Sequence, residues 1–318
     1  MPWTASDLPD LTGCTVLVTG ATSGLGETSA IALATRGAHV VLATRDAART
    51  GALMDRIRVR NPAASMEHLP IDLADLATVR AAAERFAERH ERLDVLLANA
   101  GVMATPERRT AEGFELQLGV NHLGHHALVG LLLPQLLAAE AARVVVVSST
   151  AHRMARLDLD DLNWERRRYE RWAAYGSSKL ANLLFVRELD RRLRAAGSAA
   201  IALGAHPGYA DTALQSAGPQ MQGGLRGRVT GAGTRLTNLL LAQPAARGAL
   251  PQLYASVAPE VEGGSYWGPD GIGEARGYPA PARRSAAARD DGLAAELTVR
   301  SEELTDVGLD PAASPGAR

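Results

Sequence analysis

Tyr175 and Lys179 stand four residues apart in AYGSSKLANLLF, a spacing that on a helix puts a phenol and an amine on one face. A phenol delivers a proton to a carbonyl oxygen only if its pKa, ordinarily about 10, is brought toward working pH, and a neighbouring ammonium does this by stabilising the phenolate. The pair suits hydride chemistry at a carbonyl or an alcohol. Composition singles out the same position: of 34 basic residues, Lys179 is the only lysine, a coincidence of one in 34 were it placed at random. Arginine carries a planar, more diffuse charge with a different reach, so a position that needs a compact amine excludes it. A second cluster is Thr19-Gly20-Ala21-Thr22-Ser23-Gly24-Leu25-Gly26, which follows the β-branched run TVLVT and precedes a helical stretch. Glycines there allow a tight turn, close approach of the backbone to a pyrophosphate and close packing of helix on strand, with the phosphates at the helix N-terminus. Thr230-Gly231-Ala232-Gly233-Thr234 has glycines but no strand before it, and reads as loop.

The elements that must position these residues alternate in period. Short apolar runs at 15–19, 39–43, 66–70, 94–98, 143–148 and 199–206 read as strands. Helical patterns at 24–36, 47–59, 76–90, 115–137 and 173–195 separate them without a linker. The order predicts an α/β fold, a doubly wound parallel sheet in one domain over 1–300. A helix near 244–256 and a strand at 265–267 close the sheet. Residues 213–236 form a substrate loop, glycine-rich over 218–233, and the tail 301–318 is expected to be partly disordered.

The glycine spacing TGxxxGxG resembles that of the short-chain dehydrogenase/reductase family, and the resemblance continues in order from residue 13 to about 212. Asn99-Ala100-Gly101 looks like the family's NAG motif, Asn121 in NHLGHH like its helix-borne asparagine, and Ser148-Ser149 like the end of its fifth strand. Tyr175 and Lys179 match YxxxK, and His206-Pro207-Gly208 with Thr212 matches the PG…T segment. The resemblance implies a Rossmann-type fold and a nicotinamide cofactor held by Gly20, Thr22, Ser23, Gly24, Leu25, Gly26, Asn99, Ala100, Gly101, Tyr175, Lys179, Pro207, Gly208 and Thr212. Asp72, with Leu73, would meet the adenine, or Asp72 would cap the next turn, or both. By the same resemblance Tyr175 is the acid/base, Lys179 holds the nicotinamide-ribose hydroxyls, Ser149 donates to the substrate oxygen, and Asn121 relays protons through water to the lysine. At the end of the second strand, where an acidic residue would select NAD, stands Thr44, followed by Arg45. A guanidinium grips a 2′-phosphate, so NADP(H) is favoured over NAD(H). The segment between Ser149 and Tyr175, with DLDDLNWERRRYERW, resembles the retinol-dehydrogenase-like branch and would border the substrate. Arg166–Arg168 read as a solvated helix face balancing Glu165 and Glu170.

The formal net charge of −1 gives no electrostatic reason to expect nucleic acid or an anionic membrane as partner. The single cysteine, Cys14, excludes an internal disulfide and suits the cytosol. No leader pattern opens the chain, and the apolar run 127–142 is broken by Pro134, Gln135 and Glu140, so no membrane span is expected. His122, His125 and His126 lack a matching carboxylate cluster, and no metal is expected. The expectation is an NADP(H)-dependent oxidoreductase interconverting a lipophilic alcohol and its ketone or aldehyde. An NADP(H)-sensing regulatory protein without turnover is the alternative from another class, and a dehydratase or epimerase on the same fold is a third; stoichiometric NADPH consumption separates them. The family resemblance also implies a homodimer or homotetramer packed through helices 115–137 and 173–195.

Overall fold

The computed structural model describes residues 2–209 and 243–312. Eight strands form one sheet in the order β3-β2-β1-β4-β5-β6-β7-β8. They are β1 (Thr15–Thr19), β2 (His39–Thr44), β3 (Met66–Pro70), β4 (Val95–Ala98), β5 (Arg143–Val147), β6 (Ile201–Ala205), β7 (Tyr266–Pro269) and β8 (Pro279–Pro281). The first seven are parallel and β8 turns back antiparallel on β7. The central runs TVLVT, VLLA and RVVVV are buried almost throughout, as strands covered by helices on both faces must be. Strand order reverses between β1 and β4, and a crevice opens there at the carboxyl ends of the strands.

The covering helices are α1 (Gly24–Thr35), α2 (Ala47–Arg60), α3 (Leu76–Ala87), α4 (Gly124–Leu131), α5 (Arg171–Ala195), α6 (Leu250–Val257) and α7 (Asp291–Thr305). Their caps follow the sequence chemistry: Asp46 accepts from Arg49 N, Asp75 from Ala77 N and Thr78 N, Glu170 from Trp172 N and Ala173 N.

The predicted helix at 115–137 is corrected to four pieces. Leu116–Leu118 is α-helical, Gly119–Leu123 is a π-turn, α4 follows, and a new helix begins at Leu133–Leu137 with Pro134 in its first turn. A proline that cannot donate to the preceding turn starts a helix more readily than it continues one. Part of the tail 301–318 is ordered. Ser301–Thr305 belong to α7, whose N-cap is Asp290, and Val307 and Leu309 are buried. Residues 313–318, and the substrate loop 213–236 with Thr212, lie outside the described residues. Arg166 and Arg168 are exposed as expected, but the helix in that reading is corrected. The segment is not helical, and Arg167 stacks 3.9 Å over the Trp164 ring and reaches buried Asp161 at 3.3 Å.

Residues 174–186 of α5 are buried on every side, with α7 packed along the helix. That stretch has no exposed face. The helix α7 is seated on two buried histidines. His122 donates from Nε2 to Ser301 Oγ at 2.8 Å, and His126 from Nδ1 to Thr305 Oγ1 at 3.3 Å. The remaining ring nitrogens, His122 Nδ1 and His126 Nε2, have no partner among the described residues. A second N–H on either ring would therefore be buried unsatisfied, and burial depresses both pKa values, that of His122 to about 3. A depressed folded-state pKa gives stability that is complete above the unfolded value of 6.5 and is lost as pH falls toward the folded value. The expected result is that unfolding free energy drops by about 2 kcal/mol per such histidine between pH 7 and pH 5. Denaturant titrations at the two pH values check it, and His122→Leu should shrink the difference.

Candidate active site

The crevice between β1 and β4 is a cleft of ≈ 380 Å³ lined by Gly20, Thr22, Ser23, Gly24, Leu25, Arg45, Asp72, Leu73, Asn99, Ala100 and Gly101, all expected from the sequence, together with Thr44 and Arg49. Gly20 has φ +66°, and a Cβ on it would stand 2.9 Å from Ala100 Cα. A Cβ on Gly26 would stand 2.4 Å from Asn99 Nδ2 and 2.5 Å from Gly20 O. Only hydrogen fits at either place, so the turn stays tight and the N-terminus of α1 faces the cleft. Asn99 holds the two sides together by donating from Nδ2 to Thr19 O at 2.9 Å, while Gln252 donates to its Oδ1 at 3.3 Å.

At the adenosine end β2 finishes on Thr44, not on an acidic residue. Thr44 is buried, with Oγ1 2.5 Å from Thr50 Oγ1, and Asp46 is occupied as the cap of α2. Arg45 is exposed and lies 3.6 Å from Asp72 Oδ2. Its partner is Asp72, not Asp46. Asp72 accepts from Ala74 N at 3.0 Å, so it orders its own turn, while the cap of α3 is Asp75. Arg49, on the first turn of α2, is a second guanidinium at the cleft that the motif reading passed over.

At the other end four segments converge. Tyr175 and Lys179 project from α5, both buried. Ser149, just beyond β5, places its hydroxyl near that of Tyr175, where it lowers the phenol's pKa, and its Oγ accepts from Ala151 N at 3.2 Å. Ser148 is turned away, donating to the Lys179 carbonyl at 2.7 Å. Lys179 Nζ donates to Val147 O at 2.9 Å, a carbonyl shared with Asn182 Nδ2 at 3.1 Å. Asn182 was missed although it lies three residues after Lys179 on the same helix face. Asn121 sits in the π-turn. Its amide clamps Val102, accepting from N at 2.8 Å and donating to O at 2.9 Å, and donates to Ser178 Oγ at 2.9 Å. A Cβ on Gly101 would lie 3.0 Å from Asn121 Oδ1 and 3.5 Å from Lys179 Nζ, so this glycine forms the floor between them.

The electrostatics differ from the sequence expectation in one respect. Burial pushes the Tyr175 phenol up to about 12, with the Ser149 hydroxyl pulling the other way. The ammonium is 5.8 Å from the phenol ring centroid and faces Val147 O instead. Burial in turn pulls Lys179 down to about 8.

The turn after β6 completes the rim. Gly208, at φ +66°, packs where a Cβ would meet Ala275 O at 2.4 Å, and its N–H donates to His206 Nδ1 at 3.1 Å. His206 Nε2 donates to Glu274 Oε2 at 3.1 Å, and Arg153, one turn beyond Ser149, pairs with the same carboxylate. Gln243 holds the Pro207 carbonyl at 2.7 Å. Neither His206 nor Glu274 had been assigned a role. The triplet His122, His125 and His126 does not gather as ligands. Among the described residues the one group with ligand atoms together is His39, Glu67 and His90, where His90 Nε2 and Arg89 already occupy the carboxylate.

The short chain dehydrogenase profile matches residues 14–223. Retinol dehydrogenase 13 of Homo sapiens is 41% identical over 304 residues, covering 94% of this chain and 86% of its own. Polyprenol dehydrogenase of Mus musculus is 38% identical over 307 residues, covering 95% and 86%. Among solved structures, an uncharacterized protein of Mycobacterium paratuberculosis superposes with a TM-score of 0.79 at 44% identity, covering 97% of this chain and 99% of its own.

Proposed function

The chain belongs to the short-chain dehydrogenase family, in its retinol-dehydrogenase-like branch, and from that premise we propose an NADP(H)-dependent oxidoreductase that interconverts a lipophilic alcohol and its aldehyde or ketone. Action on CH–OH groups with a nicotinamide cofactor is the class of the enzyme. The observation that carries the reading is the meeting of Tyr175, Ser149, Lys179 and Asn121 beside a glycine-walled cleft at the strand-order reversal. Two cations at the adenosine end, Arg45 and Arg49, and no free carboxylate after β2, support NADP(H). The names of the two dehydrogenase relatives support a lipophilic substrate, and the single cysteine supports the cytosol.

The cleft fits a dinucleotide, since Gly20 and Gly26 leave backbone to line it and the α1 N-terminus offers free N–H groups to a pyrophosphate. When bound, the nicotinamide supplies or takes the hydride. The Ser149 and Tyr175 hydroxyls, brought side by side at one end of the cleft, each have a proton to donate to one carbonyl oxygen and so fix its orientation. Tyr175, protonated at neutral pH, passes its proton to that oxygen as charge develops there. The phenolate left behind shares a helix face with the buried ammonium of Lys179, 5.8 Å from its ring centroid, and the amide of Asn121 keeps the surrounding segments from moving apart.

NADPH and NADH titrated separately by fluorescence, followed by loss of NADPH absorbance on adding all-trans-retinal, a medium-chain aldehyde and a cyclic ketone, test the reading. NADPH should bind more tightly and be consumed in proportion to product. Cofactor binding without consumption would favour the sensor. Arg45→Ala should weaken NADPH about ten-fold through loss of a charged bond at an exposed site, leaving NADH unchanged. Equal affinities for the two cofactors would overturn the preference.

A further inference from the structure

Thr19 Oγ1 lies 2.9 Å from the backbone nitrogens of Asn99 and of Ala100, both of which donate to it, and 2.9 Å from Nε2 of His125. Two accepted N–H bonds fill the lone pairs of the hydroxyl, so its one proton points to the imidazole, the Leu97 carbonyl at 3.4 Å being the longer alternative. Nε2 of His125 therefore accepts. Nδ1 lies 3.1 Å from the carbonyl of Asn121, which can only accept, so Nδ1 carries the proton. Both ends of the ring demand the same tautomer, and an imidazolium would present an N–H to a hydroxyl already filled. The ring is buried, and burial together with the nearby Lys179 ammonium holds its pKa down to about 4. Facing it are Lys179 and His122, the latter also held neutral by burial.

Resting on the oxidoreductase reading above, we propose that His125 is a positioning residue for the reaction, a single-tautomer bridge that ties the Asn121 π-turn to Thr19 and through it to the Asn99–Ala100–Gly101 turn. A π-turn interrupts the regular ladder, so its carbonyls are less fixed than those of an α-helix, and this one is pinned from the side. The pinned residue clamps Val102 and Ser178 with its amide, and only Gly101 separates its oxygen from Lys179. A shift of the turn would thus move the floor under the nicotinamide end relative to Tyr175 and Lys179. Glycine-motif and YxxxK readings do not reveal this, because the two bonded partners are 106 residues apart.

His125→Phe keeps the volume and removes both bonds, and His125→Gln can restore both, with Nε2 donating to Asn121 and Oε1 accepting from Thr19. His125→Phe should lower kcat for NADPH-driven reduction of the aldehyde and ketone probes by about ten-fold or more, leaving the NADPH dissociation constant within about two-fold. His125→Gln should recover most of kcat, and Thr19→Val with His125→Phe should cost much less than the product of the two single losses. Nitrogen NMR of histidine-labelled protein should show one ring, absent from the Phe variant, that keeps Nδ1–H and a bare Nε2 from pH 8 to pH 5. A protonated Nε2 on that ring overturns the bridge, as does a Gln variant no better than Phe with both equally destabilised. Should no probe be reduced even by the unaltered protein, the oxidoreductase reading fails, while the NMR signature decides the bridge by itself.

Discussion

Tyr175→Phe lowers turnover by about 10³-fold while NADPH still binds within a few-fold of the unaltered protein, because the change removes one hydroxyl and nothing that lines the cleft. The ring is buried, and phenylalanine keeps its packing, so thermal unfolding should move little. The loss belongs in kcat: the hydroxyl of Tyr175 gives up its proton only as the carbonyl oxygen gains charge. The pH dependence follows from two buried groups. Tyr175, pushed up to about 12, stays protonated through the physiological range and does not limit reduction. Lys179, pulled down to about 8, loses its charge as pH rises through that value, and with it the support for the phenolate product. Reduction should hold a plateau below pH 8 and decline above it. Alcohol oxidation needs the phenolate first, so its rate should rise with pH until the ammonium is lost. A reduction rate that climbs from pH 8 to pH 10 would contradict the assignment.

Lys179→Arg should cost about 10²-fold or more in kcat even though charge is kept, in a chain that uses arginine at each of its other basic positions. The ammonium is buried with one protein acceptor within reach, Val147 O. A guanidinium brings five N–H donors to that place, and those left without partners carry a desolvation penalty. Lys179→Met separates charge from fold. Because burial depresses the amine from 10.5 to about 8, the unfolded chain binds more protons than the folded one between those values, and stability rises with pH across that window. Below pH 8 the charged amine opposes folding by about 3 kcal/mol, as an order of magnitude, so Lys179→Met should be more stable there as well as inactive. Denaturant curves at pH 7 and pH 10 check both statements, and a methionine variant less stable at pH 7 would mean that the ammonium has a stabilising partner.

Most of this was legible in the chain, for stated reasons. Short β-branched runs such as RVVVV have no other stable use than a covered strand, and their ends were read to within two residues. The breaks in 115–137 were not legible. A π-turn adds one residue to a helical turn without changing the apolar pattern, and Pro134 marks a new start only once the chain before it is seen to end. The helix α7 carried a readable signal, since Asp290-Asp291-Gly292 is a capping sequence, but the Ala, Arg and Pro around it suggested a tail. That Tyr175, Lys179, Ser149 and Asn121 lie together was legible because motif spacing encodes them. Thr19, His125, His206 and Glu274 were not, because each acts through a bond between distant segments that only the folded sheet brings together.

The buried Lys179 has one more consequence, in protein chemistry. Its amine is the only one on any side chain in 318 residues, and in the fold the residue is almost fully buried. Acylating reagents, crosslinkers and dyes that target surface lysines find none here. An amine pulled down to about 8 is nevertheless strongly nucleophilic near neutrality once uncovered. A label on Lys179 therefore records a molecule that had opened, and the amount of label counts those openings.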